Sequence, residues 1–215
     1  MPAFELFIGN KNYSSWSFRP WIALKQKGIP FKETLVPFDF EHGNPRFAAF
    51  SPTMKVPVLK DGDITVWDSF AILEYAAEVY PDKGLWPEER APRAKAKAVS
   101  AEMHSGFAAL RSACPMNMRR PPEKLAVKPT VTADVERIVR IWADCLETSG
   151  GPFLFGDFTI ADAMFAPVVS RFATYCLADG PVVRRYSDAM TSTPAWQAWE
   201  SDALKEIWVV DVDEA

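Results

Sequence analysis

A change of periodicity near residue 80 constrains this chain more than any other feature. Before it, strand-like and helix-like runs alternate; after it, strand signals vanish. Phe4-Glu5-Leu6-Phe7-Ile8 is a short apolar run of the kind that forms a buried strand. Pro20 to Lys27 carries Trp21 and Leu24 at helical spacing, with a proline near its first turn and Gly28 just past its end. Phe31 to Val36 predicts a second strand, and a short helix is expected around Pro45 to Phe50. Val56 to Leu59 and Ile64 to Trp67 flank Lys60-Asp61-Gly62-Asp63, and Asp-Gly between apolar runs predicts a hairpin. Ser69 to Val79 follows as a helix with Ile72, Leu73, Tyr75, Ala76 and Val79 on its apolar face. The order β-α-β-α-β-β-α predicts one sheet with helices packed against it.

Pro81-Asp82-Lys83-Gly84-Leu85-Trp86-Pro87 breaks both periodicities, so residues 81–90 are expected to link a domain at 1–80 to another at 91–215. The second is expected to be a helical bundle. Its predicted helices run over Arg93 to Arg111, Thr132 to Thr148, Thr159 to about Ala178, Val182 to Met190 and Pro194 to Leu204. The proline-rich segment Cys114 to Thr130 must interrupt the bundle. The fold class is therefore α/β followed by all-α.

Composition narrows the function classes. A net charge of -4 and scattered basic residues give no polyanion-binding surface, which argues against nucleic acid. No apolar span is long enough to cross a bilayer, and Met1 to Ile8 lacks the basic start of a secretory leader. Cys114, Cys145 and Cys176 are far apart and odd in number, which favours buried thiols in a reducing cytoplasm. With only His42 and His104 as histidines, a metal site is not expected.

Three local features carry chemistry. Asn12-Tyr13-Ser14-Ser15-Trp16-Ser17-Phe18-Arg19-Pro20 brings hydroxyls to a strand-to-helix junction, where unpaired N–H groups and a partial positive charge favour an anion or thiolate. A helix cap without a ligand is the plain alternative. In Met54-Lys55-Val56-Pro57-Val58-Leu59, a cis bond before Pro57 would turn the Val56 backbone toward an extended peptide; an ordinary trans proline is the alternative. Asp68-Ser69 opens the next helix, either as a plain cap or as a site where Ser69 meets a carboxylate and Asp68 an ammonium.

Taken together, these stretches resemble the glutathione S-transferase superfamily over essentially the whole chain. The loop is similar to the Ser-Ser-Cys-x-Trp-Arg loop of the zeta class, which includes maleylacetoacetate isomerase. Trp16 stands where that class has cysteine, and Phe18 replaces its tryptophan, so the resemblance is to a serine-type bacterial member. It implies a thioredoxin-like amino-terminal domain, an all-helical carboxy-terminal domain, a homodimer, and glutathione as co-substrate with a small-molecule electrophile. Gly156-Asp157-Phe158-Thr159-Ile160-Ala161-Asp162 resembles the family's capping box, with Thr159 as cap and Asp162 reaching back; its role is structural.

The resemblance implies that a serine hydroxyl hydrogen-bonds to the glutathione sulfur and stabilises its thiolate. Ser14 is the first choice, Ser15 the second, and Tyr13 a third. Lys55, Val56, Pro57, Asp68 and Ser69 would hold the rest of the tripeptide. Met103, His104, Phe107, Arg111, Met116 and Asn117 are the candidates for an electrophile pocket, suited to an apolar acceptor with one polar handle. Conjugation and glutathione-assisted isomerisation both remain open at this point, as does a non-catalytic binding module. Thiol–disulfide exchange normally needs a cysteine in the loop, and none precedes residue 114.

Overall fold

The computed structural model describes residues 4–214. Four strands form one sheet in the order β2-β1-β3-β4: β1 (Phe4–Ile8), β2 (Phe31–Leu35), β3 (Val58–Asp61) and β4 (Ile64–Trp67). β1 and β2 are parallel, joined through α1 (Ser15–Gln26), while β3 pairs antiparallel with both β1 and β4. The expected hairpin forms, with Asp61 opposite Ile64 and Gly62 in the left-handed region that its turn requires. α2 (Ser69–Val79) closes this thioredoxin-like half.

Alternation along β1 explains the layering. Phe4, Leu6 and Ile8 are fully buried and share a core with Phe18 and Ile22 of α1 and with Ile72 and Leu73 of α2. Phe7 points the other way, stacked on Phe50 in a smaller cluster with Val36, Phe47 and Val58. That second cluster anchors the long connection from β2 to β3, which includes a 3-10 turn at Pro45–Ala49.

The helical half comprises α3 (Arg90–Ser105), α4 (Ala108–Ala113), α5 (Pro129–Ser149), α6 (Ile160–Tyr175), α7 (Pro181–Thr191) and α8 (Pro194–Ala203). No described helix is long and apolar enough to cross a membrane. α1 is the shared wall between halves. Phe18 stacks on Trp199 of α8 with centroids 4.7 Å apart, and the Arg19 Nε–H donates to the Met164 carbonyl of α6 at 3.1 Å. Burial of one such aromatic contributes about 1.5–3 kcal/mol. The box before α6 forms around Asp162, whose carboxylate accepts from the N–H of Thr159 (2.8 Å), the N–H of Leu154 (3.0 Å) and the Tyr186 hydroxyl (3.1 Å).

Two helices depart from the sequence expectation. α1 begins at Ser15, five residues before Pro20, which lies inside it. Pro20 lacks the N–H that would bond to the Trp16 carbonyl, but the apolar contacts of Phe18, Trp21 and Ile22 offset that loss. The single helix expected over Arg93 to Arg111 is two, because Gly106 ends α3 and Phe107 turns left-handed at φ 56°. A Cβ at Gly106 would stand 2.7 Å from the Glu102 carbonyl oxygen, closer than any side chain tolerates.

Candidate active site

The loop between β1 and α1 is held from several sides. Gly9 lies against Phe38, and a Cβ there would come within 2.6 Å of its ring. The Gly9 N–H donates to Ser17 Oγ at 3.2 Å, and the Ser14 hydroxyl donates to the same oxygen at 2.7 Å. Both backbone N–H groups of Lys11 and Asn12 donate to the Glu206 carboxylate, at 2.6 and 3.1 Å. Asn12 Nδ2 donates to Asn117 Oδ1 at 2.9 Å. The loop therefore takes its shape from residues beyond α4 and beyond α8 as well as from its own sequence.

Ser14 and Ser15 line a cavity of about 320 Å³ at the start of α1, with Tyr13, Trp16, Lys55, Val56, Arg111, Met116, Arg171 and Asp213 among its walls. Arg171 is the residue that sequence reasoning missed. It sits buried on α6, where its Nε–H donates to the Cys114 carbonyl (2.8 Å) and an Nη2–H donates to Ser15 Oγ (3.3 Å); its Nη1 is buried without a partner. Burial, and secondarily the like charge of Arg111, lower its pKa to about 10, so it remains a cation at neutral pH. The signal available beforehand was slight: it is the one basic residue in the run Ile160–Tyr175.

The charge around Trp16 is strongly positive. The Arg19 guanidinium lies 4.3 Å from the Trp16 ring and that of Arg111 lies 5.3 Å from it. Arg19 is fully buried, and desolvation lowers its pKa well below the ordinary arginine value. A half-buried carboxyl, Asp213, faces Arg171 across the cavity; burial raises its pKa and Arg171 partly counters this. An anion placed beside the serines thus meets a helix start and desolvated guanidiniums.

A second cavity, of about 430 Å³, shares Trp16, Lys55 and Val56 with the first and extends to Pro57, Asp68, Ser69 and His104. The Val56-Pro57 bond is cis. Asp68 has φ 73°, and its Oδ1 accepts from the N–H groups of Phe70 (2.8 Å) and Ala71 (3.4 Å), capping α2. The Ser69 hydroxyl is buried with no partner. Lys55 is fixed through Ser51, whose Oγ accepts from its N–H at 3.0 Å and donates to its carbonyl at 2.6 Å.

The structure brings Lys55, Val56, Pro57, Asp68 and Ser69 into one cavity, and the cavity lined by Ser14 and Ser15 lies next to it. Of the expected electrophile-pocket residues, Arg111 and Met116 line the cavity beside the serines. Met103 and Phe107 belong to the core, and Asn117 lies in a separate cleft with Arg119 and Arg120. His104 lines the other cavity, beside Asp68. The Tyr13 hydroxyl is engaged by Arg119 Nη2 (2.7 Å) and by the Glu214 carboxylate.

Comparison with known proteins establishes the family and the fold. The profile of the glutathione S-transferase N-terminal domain matches residues 13–79, and that of the C-terminal domain matches residues 118–199. The chain is 28% identical over 194 residues to a probable maleylacetoacetate isomerase of Caenorhabditis elegans, covering 88% of this chain and 90% of that protein. It is 29% identical over 195 residues to a zeta-class glutathione S-transferase of Euphorbia esula, covering 86% and 84%. A glutathione transferase homologue from Burkholderia gl BGR1, solved with bound glutathione, superposes with a TM-score of 0.72 at 25% identity, covering 94% of this chain and 98% of that one. With both halves matched by the family's domain profiles and by a zeta-class relative, the chain belongs to the glutathione S-transferase family and is an enzyme of that type.

Proposed function

We propose that this enzyme binds glutathione across these two cavities and activates its thiol for transfer to a small electrophile. The observation that carries the reading is the adjacency of the two cavities, which share Trp16, Lys55 and Val56 as walls. At one end, Asp68 and Ser69 offer an acceptor for an ammonium and a donor for a carboxylate. In the middle, the Val56 backbone faces the peptide, with Lys55 toward its glycine carboxylate. At the other end, Ser14 and Ser15 meet the sulfur.

A cysteine-like thiol has a pKa of about 8.5, so at neutral pH only a small part is thiolate. A hydroxyl donor, the start of α1 and the Arg171 cation each favour the anion. No proton need pass to serine. The hydrogen bonds favour Ser15 as the donor: its oxygen accepts from Arg171, which leaves its own proton free. Ser14 already gives its proton to Ser17 and must turn to reach a sulfur.

One observation favours a second reading, isomerisation of the maleylacetoacetate isomerase type. Arg111 and Arg171 both line the cavity beside the serines, and paired guanidiniums suit an acceptor that carries a carboxylate. In conjugation the sulfur stays on the product; in isomerisation it adds to the double bond, allows rotation and leaves again. Homodimerisation in the cytoplasm belongs to the same proposal. Retention on immobilised glutathione tests the binding site. Turnover of a generic aryl halide, set against isomerisation of maleylacetoacetate, separates the two chemistries, and binding without either turnover would return the chain to a binding module.

A further inference from the structure

Among the described residues, Asp213 is the one acidic side chain in the wall of the cavity that holds Ser15, Arg111 and Arg171. It lies beyond residues 118–199, the stretch matched by the C-terminal domain profile, so the profile does not account for it. Its position is set from both sides. Its N–H donates to the Val210 carbonyl at 2.8 Å, closing a 3-10 turn over Asp211–Asp213, and Val210 itself is buried. The next residue, Glu214, is held by the Tyr13 hydroxyl. The Arg171 guanidinium acts on the Asp213 carboxylate across the cavity, with no hydrogen bond between them. Arg171 is 3% exposed and Asp213 is half-buried, so the cation lies deep and the carboxylate nearer solvent.

We propose that Asp213 is a specificity residue that restricts this cavity to acceptors carrying no more than one carboxylate. This rests on the glutathione reading above. Three cations line the cavity, and one of them, Lys55, is shared with the neighbouring cavity, where on that reading it meets the glycine carboxylate. Arg171 has one buried nitrogen, Nη1, without a partner, and a first acceptor carboxylate can take it. Arg111 adds positive potential from α4, with its Nη1 bound to the carbonyls of Met103 (3.2 Å) and His104 (3.0 Å). A sulfur anion and one carboxylate balance these two guanidiniums. A second carboxylate meets no further cation and shares about 320 Å³ with Asp213, whose like charge repels it. An amide in its place carries no such penalty and can donate an N–H to Asp213. Selectivity then comes from a repulsive group near solvent as well as from attractive groups beneath it. The inference weighs toward conjugation, since maleylacetoacetate carries two carboxylates.

The test is calorimetric titration of the full chain, saturated with glutathione at pH 8, with two probes of the same shape. One is isophthalate, a dianion; the other is its monoamide, which keeps a single carboxylate. Wild-type protein should bind the monoamide about tenfold more tightly, and Asp213→Asn should bring the two affinities within about twofold of each other. Asp213→Ser repeats the comparison with a smaller side chain should asparagine disturb the turn. Equal affinity of the wild-type protein for the two probes, or an unchanged ratio in either folded variant, overturns the inference and leaves the glutathione reading intact. Failure of both probes to bind a protein that has taken up glutathione does the same. Failure to take up glutathione at all overturns both. Because the first comparison needs only wild-type protein, the inference stays open to refutation even if both variants misfold.

Discussion

Arg171 on α6 lies 3.3 Å from the hydroxyl oxygen of Ser15, which opens α1. The contact joins the helical half to the serine loop through a buried cation, which on the proposed reading would stand beside the glutathione sulfur. Replacing Arg171 by Met should cut conjugation about tenfold at pH 6.5 and much less at pH 9, where the thiol ionises unaided. Arg171→Lys should recover part of the loss. The check is a pH–rate profile alongside the thermal midpoint, since a purely structural defect would lower the rate equally at every pH.

Ser15→Ala should reduce kcat/KM by about ten- to a hundredfold, and Ser14→Ala by less, because the Ser14 proton is spent on Ser17. The double substitution should abolish the ultraviolet thiolate band of bound glutathione. If Ser14→Ala proves the more damaging, the Ser14 hydroxyl rotates from Ser17 to sulfur on binding. If both single variants and the double keep full activity, the hydroxyl mechanism is wrong.

Asp162 makes a prediction about stability. Burial raises its pKa from 3.8 to about 6, against the lowering effect of its hydrogen bonds to Leu154, Thr159 and Tyr186. Between those values the folded chain binds the proton that the unfolded chain has already lost. Its contribution therefore weakens as pH rises through that window, by roughly a hundredfold in the folding equilibrium in all. Urea unfolding of wild type and Asp162→Asn at pH 4 and pH 7 isolates it: the difference between the two proteins should shift across that range in favour of the variant at pH 7. A constant difference would show that Asp162 is not protonated in the folded state.

Arg119 holds the segment after α8. It donates to the carbonyls of Glu206 (2.5 Å) and Trp208 (2.7 Å) and to the Tyr13 hydroxyl (2.7 Å). Arg119→Ala should cost about 1–3 kcal/mol and speed amide exchange over residues 205–214. KM for the electrophile should change more than KM for glutathione, because Asp213 lines the cavity beside the serines and not the one that holds Asp68 and Ser69.

Much of this arrangement was legible in the chain because it is local. β1 declares itself as a short apolar run, the hairpin by Asp61-Gly62, and the start of α6 by Thr159 and Asp162. The first turns of α1 were hidden by Pro20, since a proline looks like a start signal when the packing that tolerates it is out of view. The break at Gly106-Phe107 was hidden for a similar reason: the amphipathic pattern continues across it, and only the left-handed Phe107 reveals the turn. Helical spacing grouped His104 with Met103 and Phe107, yet the end of α3 delivers it to Asp68. Arg171 could not be placed from sequence at all, because the fold alone brings residue 171 to residue 15.

The segment from Glu206 to Glu214 is anchored to the serine loop at its two ends and meets the cavity beside the serines through Asp213. Between those anchors it exposes Ile207, Val209 and Val212 to solvent, and it does not reach the cavity that holds Asp68. On the proposed reading, selection or a protein engineer can therefore alter acceptor choice at Asp213 and its exposed neighbours, provided that Glu206 and Glu214, which brace Lys11, Asn12 and Tyr13, are kept.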